Sequence, residues 1–219
     1  MAPDSKRRKK AVRWVGLIVL VLLIVTIRLV EDIGYDVKPT DRFVVTKVID
    51  GDTVELLGRD RVRLLSIDTP EKGELFYDEA KQLLEDLVLG KAARVEFANR
   101  RRDRYGRLLG YLYVDTLFVN KIIIDSGLGY LYLFKDTDLK RSETSRLLTA
   151  QKIALLAKIG VWSLRKKIEN FYIAKDNSFR FHRPGCYSVR QLKEGRYRTF
   201  ETREEGFLEG LSPCRNCKP

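Results

Sequence analysis

The chain has 219 residues, 44% of them hydrophobic and 33% charged, enough to bury one good core plus a small satellite domain. Its formal charge of +12 sits at the two ends: Lys and Arg outnumber acids seven to one in residues 1–30 and 13 to seven in residues 164–219, but balance at 22 each from Glu31 to Ser163. That distribution excludes any case for nucleic-acid binding made from bulk charge, so such a case must rest on local clusters.

Residues 1–10 form a basic tail ending in Lys6-Arg7-Arg8-Lys9-Lys10, and Ala11 to Val30 follow. As a helix, residues 11–30 span about 30 Å, one bilayer core. Between Val15 and Ile27 eleven residues are Val, Leu or Ile. Arg13 and Arg28 stand near the ends, where they can snorkel, and Trp14 suits the interface. No small-residue cleavage pattern follows, since there is no alanine between Ala11 and Ala80. The expectation is therefore an uncleaved, single-pass transmembrane anchor rather than a removed signal peptide. A basic flank before it and Glu31-Asp32 after it place the N-terminus in the cytoplasm and the rest outside.

After a linker at 31–41, strand signals begin. Alternating, β-branched runs predict strands over Phe43–Ile49, Thr53–Leu57, Arg61–Ile67, Ala92–Ala98 and Arg107–Val114, with Gly58-Arg59-Asp60 as a hairpin turn. Helical spacing predicts Asp78–Leu89, Val119–Ser126 and about Asp138–Ile159, stopped by Gly90, Gly127 and Gly160. Five strands with three helices are compatible with a small closed barrel of the α+β class.

The carboxylates fall at strand ends. Asp50 and Asp52 bracket Gly51, while Asp68, Thr69 and Glu71 surround Pro70, and a hairpin brings such ends together near Arg63. Clustered hard oxygens suit Ca²⁺, and an arginine beside a metal suits a phosphate. An Asp-Gly-Asp by itself is an ordinary solvated turn, but a third element, Asp103-Arg104-Tyr105-Gly106-Arg107, follows before a strand.

These three blocks, in this order and spacing, resemble the signature blocks of the staphylococcal nuclease (thermonuclease) family over roughly residues 42–163, and Val119-Asn120 and Val161-Trp162-Ser163 fit as well. The resemblance implies a five-stranded OB-type β-barrel with flanking helices. It implies Asp52, Asp68 and the Thr69 carbonyl as Ca²⁺ ligands, Glu71 as general base, and Arg63 and Arg107 as phosphate clamps. Asp50 would stand behind the metal ligands, and Asp103, Arg104 and Tyr105 would line the substrate. Arg100, Arg101, Arg102 and Arg104 form a dense basic cluster suited to a phosphate backbone. The implied reaction cleaves DNA or RNA at the 5′-oxygen, leaving 3′-phosphate and 5′-hydroxyl ends. The segment from Glu71 to Asp78 is shorter than the family's mobile loop, and Tyr130 and Tyr132 do not align cleanly with its stacking tyrosines. A catalytically silent module that binds nucleic acid or captures DNA at the membrane is the alternative.

Beyond a basic connector at 164–170, residues 171–219 hold all three cysteines and the single histidine, as His182-x₃-Cys186 and Cys214-x₂-Cys217. Three thiolates and an imidazole satisfy a structural Zn²⁺, the alternative being a Cys214–Cys217 disulfide with Cys186 left over. Phe181 to Cys186 and Pro213 to Pro219 resemble the metal-binding domain of the Ada methyl acceptor. His182 stands where Ada has cysteine, so methyl-acceptor chemistry is not implied. Thr202-Arg203-Glu204-Glu205 has capping-box spacing, which predicts a helix before Gly210.

Overall fold

The computed structural model describes residues 42–134, 141–192 and 195–219, so the expected basic tail, anchor and linker lie outside the described residues. Among the described residues no helix is long and apolar enough to cross a membrane. The first sheet follows from the alternation. Strands β1 (Arg42–Asp50), β2 (Thr53–Leu56) and β3 (Arg61–Leu64) turn Val45, Val48, Val54, Leu56, Val62 and Leu64 inward. Each such side chain, fully buried, stabilises the fold by about 1.5–3 kcal/mol. The turn joining β2 to β3 uses positive φ at Gly58 and Arg59.

The short β4 (Ile67–Asp68) comes next and, after helix α1 (Tyr77–Val88), the long β5 (Ala92–Arg102). Strand β6 (Leu108–Val114) is buried along its whole length, with α2 (Val119–Asp125) packed against it. The order β3-β2-β1-β5-β6, with a parallel β3–β6 pairing, closes the ring. Two features blur it: β7 (Leu117–Phe118) extends the sheet beyond β6, and β4 pairs outside the ring with β8 (Tyr130–Leu131). The expected set of five strands therefore undercounts the elements.

One expected strand is corrected. Arg61–Ile67 does not run through, because the chain breaks at Ser66, whose φ is 63°. Leu65 N–H still bonds the Gly110 carbonyl of the ring, but Ser66 turns the backbone out, and its carbonyl accepts from Tyr132 N–H at 2.9 Å. That left-handed step carries Asp68 to the rim of the barrel instead of continuing along its wall.

Helix α3 (Arg141–Leu156) packs on α2 and leads to a 3₁₀ turn at Gly160–Ser163. A Cβ at Gly160, where φ is +56°, would lie 2.1 Å from the Gly127 carbonyl oxygen, so only glycine allows this crossing of backbones. The remaining residues form a second sheet in the order β11-β9-β10-β12, built from β9 (Tyr172–Lys175), β10 (Arg180–His182), β11 (Tyr197–Phe200) and β12 (Ser212–Pro213). Helix α4 (Arg203–Leu208) is capped by Thr202, whose hydroxyl accepts from Glu205 N–H at 3.2 Å. Phe207 sits edge-on to Tyr130, Trp162 and Phe181, which joins this sheet to the barrel.

Candidate active site

The β1–β2 turn puts Gly51 against Thr69 and α1. A Cβ there would meet Thr69 Oγ1 at 2.7 Å and Ala80 at 2.8 Å, so glycine permits the approach that buries Asp52. The β2–β3 register sets Thr53 opposite Arg63. Asp52 Oδ2 and Asp68 Oδ1 then accept the same Arg63 Nη2, at 2.9 and 2.8 Å, while Arg63 Nη1 donates to the Leu64 carbonyl. Thr69 donates to Asp52 from its backbone N–H at 3.3 Å and its hydroxyl at 3.4 Å. Asp50 holds the turn by accepting from Asp52 N–H. Asp52, Arg63, Asp68 and Thr69 are all buried, and Glu71 stands exposed just beyond them on the rim.

Burial pushes the Asp52 carboxyl up to about 7; the Arg63 guanidinium opposes this, and the neighbouring Asp50 and Asp68 reinforce it. At Asp52 burial thus outweighs the charge of the adjacent arginine. Hard oxygens from two carboxylates with a third alongside form a donor set that fits a divalent calcium ion.

The raised Asp52 value has a sign. From about pH 4 to about pH 7 the folded chain keeps a proton that the unfolded chain has lost, so this group subtracts stability as pH rises. In chelator, wild type is expected to lose stability relative to Asp52→Asn across that window and to level off above it. Urea titrations at a series of pH values measure the difference, and a difference that stays flat would contradict the assignment.

Arg107 reaches the same cluster from the β5–β6 turn, with Nη1 at 3.4 Å from Thr53 Oγ1. Asp103 takes up its Nε at 2.9 Å and its Nη2 at 2.8 Å and also accepts the backbone N–H groups of Tyr105 and Arg107. Asp103, one of the residues the resemblance sets beside the substrate, thus holds the turn and aims the arginine. Tyr105 is 67% exposed, with the Arg104 guanidinium 4.7 Å from its ring centroid.

Several residues at the site carry no local sequence signal. Tyr130 donates its hydroxyl to Asp68 Oδ2 at 3.1 Å, and burial, then the Asp68 charge, raise its pKa, so it remains a donor. Arg215 donates to Asp68 Oδ1 at 2.6 Å, and Lys218 pairs with Glu74 at 2.8 Å. The partners of Arg215 and Lys218 lie 147 and 144 residues away, beyond the reach of any motif. Together they border a cleft of about 480 Å³ that Asp68, Thr69 and Glu71 also line.

In the second sheet the ligating atoms of His182, Cys186, Cys214 and Cys217 all lie within 4.8 Å of one another, and the cysteines are unbridged. His182 Nδ1 is buried with no hydrogen-bond partner among the described residues, and burial, then Arg180, lower its pKa, which favours the neutral ligating form. Three sulfurs and one nitrogen at this spacing fit a tetrahedral zinc ion.

The family described as Staphylococcal nuclease homologue matches residues 61–164, a span that holds Arg63, Asp68, Thr69, Glu71 and Arg107. The chain is 35% identical over 123 residues to an uncharacterized endonuclease of Escherichia coli O157:H7, covering 54% of this chain and 75% of that protein. It is 32% identical over 133 residues to a micrococcal nuclease of Shigella flexneri (54% and 72%) and 31% identical over 134 residues to Endonuclease YncB of Bacillus subtilis (57% and 63%). With a ring of strands that gathers Asp52, Arg63 and Asp68 at one rim, and with relatives of this identity and coverage, the chain belongs to the staphylococcal nuclease homologue family.

Proposed function

We propose that the chain is a calcium-dependent nuclease, tethered to a membrane through residues 11–30 with its barrel outside the cytoplasm, that hydrolyses phosphodiester bonds of DNA or RNA. One observation carries the reading: two buried carboxylates share one guanidinium nitrogen beside an open cleft with an acid on its rim. Asp52, Asp68 and the Thr69 carbonyl would hold the calcium, which when bound supplies charge to neutralise the phosphate and polarise its oxygens. Glu71 takes a proton from the attacking water. As the water oxygen bonds phosphorus, the bond to the 5′-oxygen breaks, and that oxygen leaves as a hydroxyl after gaining a proton. Arg63 and Arg107 donate to the phosphate oxygens, with forks that match them in shape. Asp103 orients Arg107, and Tyr130 orients Asp68.

The Ada-like segment would bind one structural zinc ion through His182, Cys186, Cys214 and Cys217, a staple that a unit of this size needs. Digesting single- and double-stranded DNA and RNA with the purified full chain tests the nuclease reading. Cleavage is expected in Ca²⁺ and not in chelator, and elemental analysis should give one zinc per chain. Cleavage indifferent to chelator would remove the calcium assignment, and a Cys214–Cys217 disulfide without metal would remove the zinc one.

A further inference from the structure

The turn Cys214-Arg215-Asn216-Cys217 belongs to the second sheet yet reaches the barrel's acidic site. Its approach is fixed at several points. β12 runs parallel to β10, Cys214 N–H bonds the Phe181 carbonyl at 3.0 Å, and Leu133 N–H of the barrel side donates to the buried Ser212 Oγ. The side chain is guided as well. The Arg215 guanidinium lies 4.7 Å from the centroid of the Tyr132 ring, which also carries Arg180 at 3.7 Å, and Tyr132 is tied by its backbone to Ser66, two residues before Asp68. A side chain braced in this way has lost its rotamer freedom before any ligand arrives.

We propose that Arg215 is a substrate-binding residue of the nuclease site: the second sheet supplies a guanidinium that grips a phosphate of the nucleic acid alongside Arg63 and Arg107. This rests on the nuclease reading above. The Asp68 contact uses one of five N–H donors in the fork, and the side chain is 53% exposed on the wall of the cleft. A plug that shut the site would be buried in it; Arg215 leaves the cleft open and lines it. Lys166, Arg203 and Lys218 line the same cleft as Asp68, Glu71 and Glu74, so cations stand beside the acids there. Such cations suit a polyanion whose backbone passes on the side of the second sheet.

The test uses the full chain as wild type, Arg215→Ala and Arg215→Lys. Binding of a fluorescent single-stranded oligodeoxynucleotide is followed against salt in calcium-free buffer that retains zinc, and kcat and KM are measured in Ca²⁺. For Arg215→Ala the expectation is a KM and a dissociation constant raised roughly tenfold. Its log–log salt slope should be shallower by about one ion, with kcat changed far less. Arg215→Lys keeps the charge without the fork, so it should retain the salt slope and recover part of the affinity. It also keeps the test decisive where the alanine variant melts early. An unchanged KM and slope in Arg215→Ala, or faster turnover, would overturn the proposal, the latter marking Arg215 as a brake. Wild type that binds in calcium-free buffer but does not cleave in Ca²⁺ would sink the nuclease reading, and the binding comparison would still judge Arg215.

Discussion

Glu71→Gln is expected to lower kcat by about 10²–10⁴-fold, the usual worth of a positioned general base, while the melting temperature stays close to that of wild type. The two halves of this result come from the same placement. Glu71 is exposed at the mouth of the cleft, so its charge is solvated and contributes little to folding. The backbone around it is held independently: its N–H donates to Glu74 Oε2 at 2.9 Å, and its carbonyl accepts from Glu74 N–H at 2.8 Å. Glutamine keeps the length and shape but cannot accept a proton from water. Single-turnover digestion with a parallel melting curve gives both quantities. A variant as fast as wild type would take the base role away from Glu71.

Arg63→Ala should act on both stability and catalysis. It removes the guanidinium shared by Asp52 and Asp68 in a buried setting, a change that costs about 3–5 kcal/mol when it strands a charge. The loss should depend on pH. At about pH 8 Asp52 of the wild type is ionised and Arg63 answers its charge; at about pH 5 Asp52 already holds its proton, so less charge is stranded and the penalty shrinks. Arg215 remains on Asp68, which leaves Asp52 as the more exposed to the loss. Denaturant curves for both proteins at the two pH values measure this, with activity expected to be lost at either. A penalty equal at both would mean that the arginine stabilises by packing and not by charge.

Much of the barrel could be read from local pattern because its causes are local. Alternation in Val45, Val48, Val54 and Leu56 and the glycine turn at Gly58 depend on neighbours within a strand or hairpin. The same hairpin explains why Asp52 and Arg63 meet although they are eleven positions apart. The break at Ser66 was hidden because Arg61–Ile67 has the composition of an uninterrupted strand. What ends the strand is Tyr132, far along the chain, offering its N–H to the Ser66 carbonyl. Tyr130 and Arg215 were illegible for a related reason: each reaches Asp68 from a different element, and a tyrosine in a short strand or an arginine between two cysteines has many ordinary uses. That Asp103 accepts from Arg107 was equally hidden, because a motif fixes which residue is present but not which neighbour its oxygens hold.

Gln151 of α3 is fully buried, receives Leu131 N–H on its oxygen at 2.7 Å and gives its amide to the Phe207 carbonyl at 2.8 Å. One amide thus serves the barrel with one end and helix α4 with the other, and losing either neighbour would orphan a polar atom in a dry interior. The border near residue 164 that composition suggests is consequently not a seam along which the protein can be divided. The two parts are expected to melt together, and a protease that nicked the connector would leave halves still gripping one another.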